Sequence, residues 1–105
     1  MRESNFQAKL IQEIQERFPG SVVMKNDPSY KQGFPDILVL FKNRWAALEV
    51  KRGSKASRRP NQEYYVDKLG KMSYASFIYP ENKEDVLNEI QQSFGIRRTT
   101  RIPKC

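Results

Sequence analysis

Asp36, Glu49 and Lys51 are residues of types that can hold a divalent cation and steady a nearby negative charge. Two carboxylates with a backbone carbonyl beside them form an all-oxygen donor set, which suits a hard divalent cation such as Mg²⁺. A lysine next to such a cation positions a water or offsets charge building on a phosphate. A bare Glu-x-Lys is a weak signal, and the chain has a second, Glu81-Asn82-Lys83, at a polar turn with no strand before it. The first has a different context. Glu49 follows Trp45-Ala46-Ala47-Leu48 and precedes Val50, an apolar run that reads as a mostly buried strand, where charged residues need a reason. Pro35-Asp36 stands upstream and a basic loop follows.

These residues need a hairpin to bring them together. Ile37 to Phe41 is an unbroken apolar run, the mark of a central strand, and Trp45 to Lys51 reads as the next strand across a turn at Lys42-Asn43-Arg44. Glu49 and Lys51 are two apart and share a face, while Val50 points to the other, into the core. A tight turn brings Asp36 opposite either Glu49 or Val50. Only the first register puts both carboxylates on one face, because a slip of one residue reverses the face.

The remaining elements frame this hairpin. Phe6, Leu10, Ile11, Ile14 and Phe18 recur at helical spacing, so Ser4 to Phe18 reads as a helix, with Ser4 and Gln7 in a capping-box pattern and Pro19-Gly20 as the stop. Ser21 to Lys25 reads as a short strand and Asn26 to Phe34 as a loop. Pro60 opens a helix to about Met72, Ala75 to Tyr79 is a strand, and Asn82-x-x-Asp85 caps a last helix to about Phe94, closed by Gly95. The order is αβββαβα in one α+β domain over residues 1–95, with a basic tail over 96–105.

The 105 residues include no histidine and one cysteine, Cys105. No His-based general base, Ser-His or Cys-His pair, His-ligated metal, disulfide framework or thiolate cluster can be built from that inventory. The chemistry must come from carboxylates, lysine, arginine, tyrosine or hydroxyls, and the cysteine usage fits a reducing compartment. No apolar stretch approaches the roughly 20 residues that span a bilayer, and the N-terminal residues lack a charged-then-apolar signal pattern, so a cytoplasmic protein with no membrane partner is expected. The net charge of +7 is local. Lys51, Arg52, Lys55, Arg58 and Arg59 form one acid-free stretch, and Arg97, Arg98, Arg101 and Lys104 form another, leaving the rest of the chain net acidic. Such patches suit a polyanion like nucleic acid.

Gly33-Phe34-Pro35-Asp36 followed by Leu48-Glu49-Val50-Lys51-Arg52 resembles the PD-(D/E)XK nuclease superfamily. The closest resemblance is to its VRR-NUC group, in the short stand-alone versions found in phages. Glu3 with Phe6-Gln7 is similar to the group's opening Glu and apolar-Gln pair on the first helix. Pro60-Asn61-Gln62 is similar to its Gln after the catalytic strand. The resemblance spans roughly residues 3 to 90 and implies a restriction-endonuclease-like core, a mixed sheet flanked by helices.

By this resemblance Asp36 and Glu49 bind Mg²⁺ or Mn²⁺ with the Val50 carbonyl, and Lys51 positions or activates the attacking water. Glu3 reaches the metal through water, and Gln62 orients Lys51 or a phosphate. Each has a plainer alternative: Glu3 as a helix-dipole carboxylate with Glu13 as its substitute, and Gln62 as an ordinary first-turn residue. Arg52, Lys55, Arg58, Arg59 and Lys31 are the expected DNA contacts; Tyr64 and Tyr65 are of a type that stacks on bases, with one of the pair expected in the core instead. The implied activity is a metal-dependent endonuclease on DNA, selective for branched or Holliday-junction DNA by family analogy alone, and a paired cut at a junction requires a homodimer. In a phage-encoded protein the compartment is the host cytoplasm. The alternative is a non-catalytic nucleic-acid-binding module on the same fold.

Overall fold

A computed structural model describes residues 2–96. The basic residues Arg97, Arg98, Arg101 and Lys104, and Cys105, lie outside the described residues. The elements are α1 (Glu3–Arg17), β1 (Val22–Lys25), β2 (Ile37–Phe41), β3 (Arg44–Val50), α2 (Pro60–Met72), β4 (Tyr74–Ile78) and α3 (Lys83–Ser93).

The strands form a four-stranded mixed sheet in the order β1-β2-β3-β4. The first three make an antiparallel meander, and β4 returns parallel to β3 after the α2 crossover. The β2–β3 turn is two residues long, with Phe41 opposite Arg44 and Lys42 at φ 55°. β3 is central, and Ala46 to Val50 are all buried.

Alternation along the strands divides the side chains between two faces. Ile37, Val39 and Phe41 of β2, with Ala46, Leu48 and Val50 of β3, join the main core under α1 and α3. The i, i+4 stripe Phe6–Leu10–Ile14–Phe18 seals α1 onto this face. Phe18 lies 5.5 Å from Phe94 and 6.3 Å from Phe41, centroid to centroid, and Phe41 stacks on Phe94 at 5.4 Å. Two polar clips join α1 to α3: Arg17 donates to Glu84, Asn88 and Gln91, and Lys83 meets Glu13 at 2.8 Å. The other face of β3 and β4 is covered by α2.

Two helix starts differ from the capping pattern. α1 begins at Glu3, because the Arg2 carbonyl already accepts the Phe6 N–H at 3.1 Å, so Ser4 sits inside the first turn and caps nothing. Asn82 precedes α3, but its amide faces backwards. Its Oδ1 accepts the Tyr79 N–H at 2.8 Å and its Nδ2 donates to the Phe77 carbonyl at 3.1 Å. It closes the β4–α3 turn instead of capping the helix. At the other end α3 closes as expected. Gly95 at φ 76° lets its N–H reach the Gln92 carbonyl and the Ile96 N–H reach that of Gln91, and Ile96 packs against the core. Arg44 adds a positive charge there by donating to the Ser93 carbonyl at 2.7 Å.

Candidate active site

The hairpin register decides the site. Ile37 pairs with Leu48, so the next step outward sets Asp36 across from Glu49. Of the two registers open to the sequence, this is the one that puts both carboxylates on one face. Glu49 and Lys51 are the buried charged residues among those described, at 4% and 9% exposure. They lie on the α2 face, away from the main core. Lys51 falls one residue past the end of β3, but its N–H still bonds the Ile78 carbonyl of β4 at 2.9 Å, so the backbone there remains tied to the sheet.

Each side chain is held by a specific partner. The Val50 N–H donates to Asp36 Oδ2 at 2.9 Å. Asn26 fixes Asp36 from the other side: its N–H donates to the Asp36 carbonyl at 2.8 Å and its Nδ2 to the Pro35 carbonyl at 2.6 Å. Gln62, in the first turn of α2, joins the two buried charges. Its Oε1 accepts Lys51 Nζ at 2.8 Å and the Arg59 N–H at 3.0 Å, while its Nε2 donates to Glu49 Oε2 at 3.0 Å. One side chain thus caps its own helix and orients two others.

The electrostatics follow from this crowding. Burial pushes the Glu49 carboxyl up to about 8, and the adjacent Asp36 adds to the rise. Lys51 opposes it, and Glu3 contributes a smaller upward push. Glu3, exposed at the start of α1, is therefore close enough to be felt at the site. Glu13 is occupied elsewhere, by Lys83 on α3.

The donor chemistry fits a hard cation. Two carboxylates share one face, and their mutual repulsion is what a bound cation would relieve. Pro35 lies opposite Val50 by register and has no N–H, so the ladder offers no donor to the Val50 carbonyl. Asp36, Glu49 and Val50 together can supply oxygen ligands. Among the described residues no group of three or more His, Cys, Asp or Glu is placed to hold a metal ion.

The basic residues do not form one uniform patch. Arg58 lies with its guanidinium 4.0 Å from the Phe77 ring centre, and Phe77 pairs with Glu49 across β3–β4. Arg58 is therefore placed over β4, the strand next to the one that carries Glu49. Arg52 and Lys55 are exposed and line a shallow hollow with Glu81, whose carboxylate also accepts Ser54 Oγ at 3.4 Å. Arg59 is exposed at the start of α2. Lys31 sits 3.4 Å from the Tyr65 hydroxyl, and Tyr65 packs edge-on against Phe34 at 5.4 Å. Tyr64 stays exposed.

The fold is shared with a VRR_NUC domain protein. That solved structure aligns over 91% of this chain and 90% of its own, with a TM-score of 0.66 and 16% sequence identity. The likeness therefore takes in the whole arrangement of sheet and helices, and it agrees with the group that the motifs resemble. No family model matches the sequence, and no curated protein matches it.

Two parts of the site escaped sequence reasoning. Asn26 carries no signal in the sequence, since its role depends on lying across from Asp36 in the β1–β2 pair. The stack of Arg58 on Phe77 also depends on a partner distant in the chain. An arginine in a basic loop gives no hint of the ring it will lie over.

Proposed function

We propose that the protein is a metal-dependent endonuclease that hydrolyses DNA phosphodiester bonds. The observation that carries this reading is the hairpin register: it sets Asp36 across from Glu49, with Lys51 on the same face and Gln62 joining Glu49 to Lys51. The VRR_NUC likeness supports the same reading through the fold.

Asp36, Glu49 and the Val50 carbonyl would hold Mg²⁺ or Mn²⁺, which supplies positive charge to polarise a phosphoryl oxygen. The protein's own groups do the rest. The Val50 N–H holds one oxygen of Asp36 in place. Gln62 fixes the rotamer of Glu49 and aims the Lys51 ammonium. Lys51 orients the attacking water and offsets charge on the phosphoryl oxygens as they become more negative in the transition state. Water adds to phosphorus and the P–O bond to one sugar breaks, which leaves a phosphate monoester and a hydroxyl. Glu3 acts at longer range, through water. Arg52, Lys55, Arg58, Arg59 and Lys31 hold the DNA backbone, which makes binding steeply salt-dependent.

The finer reading is selectivity for branched DNA, four-way junctions included, by a symmetric homodimer that presents two sites. It rests on the group resemblance. Light scattering at working concentration tests it: a monomeric mass removes the paired cut and leaves a nickase.

A second reading is a non-catalytic module that holds nucleic acid on the same fold, for which the exposed Arg52, Lys55 and Arg59 would serve equally well. One experiment separates the two. Labelled four-way junction, nicked, linear duplex and single-stranded DNA are incubated with Mg²⁺, Mn²⁺ or EDTA, beside Asp36→Asn and Lys51→Ala. The enzyme reading expects metal-dependent cutting that both substitutions abolish, with DNA binding by Asp36→Asn kept or tightened because a repelling charge is gone. Binding without cutting on every substrate supports the module.

A further inference from the structure

We infer that the cleft formed by the end of β1 and the β1–β2 loop is a binding site for an unpaired nucleobase, next to the Asp36–Glu49 site where the scissile phosphate would lie. This deepens the nuclease reading and rests on it for the identity of the polymer. The cleft holds about 300 Å³ and is lined by Lys25, Asn26, Asp27, Tyr30, Lys31 and Phe34. That is the lower end of the size range of small-ligand sites and ample for one base.

The lining is of two kinds. Tyr30 is 88% exposed, an unusual position for a large ring. Phe34 is half-buried, and its ring is held by the edge-on contact with Tyr65. Two aromatic surfaces in a concave setting offer stacking to any base that presents a free π-face, which bases inside a duplex do not. Lys25 and Lys31 also line the cleft, and the Lys31 ammonium reaches from it towards the Tyr65 hydroxyl, so both side chains put positive charge nearby for flanking phosphates. Asp27 also lines the cleft, and a negative charge there disfavours a phosphate inside and suits an uncharged group. Its Oδ1 is fixed by the N–H and hydroxyl of Ser29 at 2.9 and 2.7 Å.

The loop is built in advance of binding. The Tyr30 N–H donates to the Asp27 carbonyl at 3.1 Å, which closes the turn that presents the ring. At the far end Gly33, at φ 84°, lies so close to Asn61 of α2 that a Cβ there would come within 2.5 Å of the Asn61 side chain. The cleft therefore has little ordering left to lose when a ligand enters. Asn26 lines the cleft and bonds the carbonyls of both Pro35 and Asp36, so the cleft adjoins the carboxylate site and a base seated here would belong to a nucleotide near the scissile phosphate. The substrate class this implies has unpaired nucleotides at the cut: a flap, an overhang or an opened branch point.

The test measures binding in EDTA, where no cutting occurs, by fluorescence anisotropy. The probes are a blunt duplex, the same duplex with a short oligothymidine flap, and that flap made abasic. Wild type should bind the base-bearing flap more tightly than the abasic one. Tyr30→Ala should erase that preference, weakening flap binding by roughly fivefold to a hundredfold, while leaving blunt duplex and abasic flap unchanged. Tyr30→Phe should stay near wild type. Equal losses on all three probes, or no loss on any, overturn the proposal, as does a wild type indifferent to the abasic flap, a result that needs no variant to fold. Failure of the nuclease reading looks different: wild type then cuts nothing with Mg²⁺ or Mn²⁺, whatever the flap binding shows.

Discussion

The Glu49 carboxyl provides a quantitative test of the site. In the metal-free protein burial and Asp36 raise it from 4.5 to about 8. A raised carboxyl binds its proton more tightly in the folded chain than in the unfolded one. Its contribution to stability is therefore complete below about pH 4.5, falls as pH climbs, and is gone above about pH 8. Each unit of such a shift corresponds to about 1.4 kcal/mol, so the window spans a few kcal/mol. Against a total stability of about 5–15 kcal/mol that is a large share. Glu49→Gln mimics the protonated form. Its amide oxygen can still accept from Gln62 Nε2, and no charge remains to repel Asp36. In EDTA at pH 8 the variant should melt on the order of 10 °C or more above wild type, and the two should converge towards pH 4.5. Thermal melts followed by circular dichroism between pH 4.5 and 9 measure this directly. Mg²⁺ at pH 8 should raise the wild-type melting temperature and leave Glu49→Gln almost unmoved. If the two proteins lose stability in parallel across the window, the buried, like-charged pair is not the source and the account of the site is wrong.

Other substitutions probe the supports. Gln62→Ala should cut turnover about 10- to 100-fold while DNA binding holds, since it frees both Lys51 and Glu49; unchanged turnover would return Gln62 to a capping role. Gly33→Ala should lower stability by about 1–3 kcal/mol in urea melts, because it combines a positive φ with a clash against Asn61, and should lower activity further by shifting the start of α2 and with it Gln62. Arg58→Ala should weaken DNA binding on every substrate and flatten the slope of log affinity against log salt by about 1; an unchanged slope would mean that Arg58 serves only its stack on Phe77. Phe18→Ala, at the centre of the ring cluster, should cost about 3–5 kcal/mol of stability, and an intact melt would mean that the cluster does not anchor α1.

Much of the fold was legible because the hydrophobic pattern here is local and strong. The run Ile37–Phe41, the stripe from Phe6 to Phe18 and the Pro60 start of α2 all carry their period or their stop within a few residues, and each element appears within a residue or two of its expected span. The helix caps were less legible. Ser4 and Asn82 have capping chemistry, but Arg2 supplies a carbonyl one turn earlier, and Asn82 meets better partners in Tyr79 and Phe77. Capping preference amounts to about 1 kcal/mol, and a neighbouring contact easily redirects it.

The sequence by itself determined which chemistry is open to this protein. With no histidine and one terminal cysteine, the chemistry falls to carboxylates, lysine, arginine, tyrosine or hydroxyls; the apolar strand singles out Glu49 and Lys51, and their spacing of two places them on one face through strand geometry alone. The tertiary structure decided which partners those residues meet. The register of Asp36 against Glu49 is set where a two-residue turn and a buried face agree, and the alternative differs by a single step. Gln62 reaches Glu49 and Lys51, Arg58 lies over Phe77, and Asn26 holds Asp36, because the α2 crossover and the β1–β2 pairing bring distant segments together. A sequence states a residue's chemistry and its period, but contacts between distant segments depend on how whole elements pack.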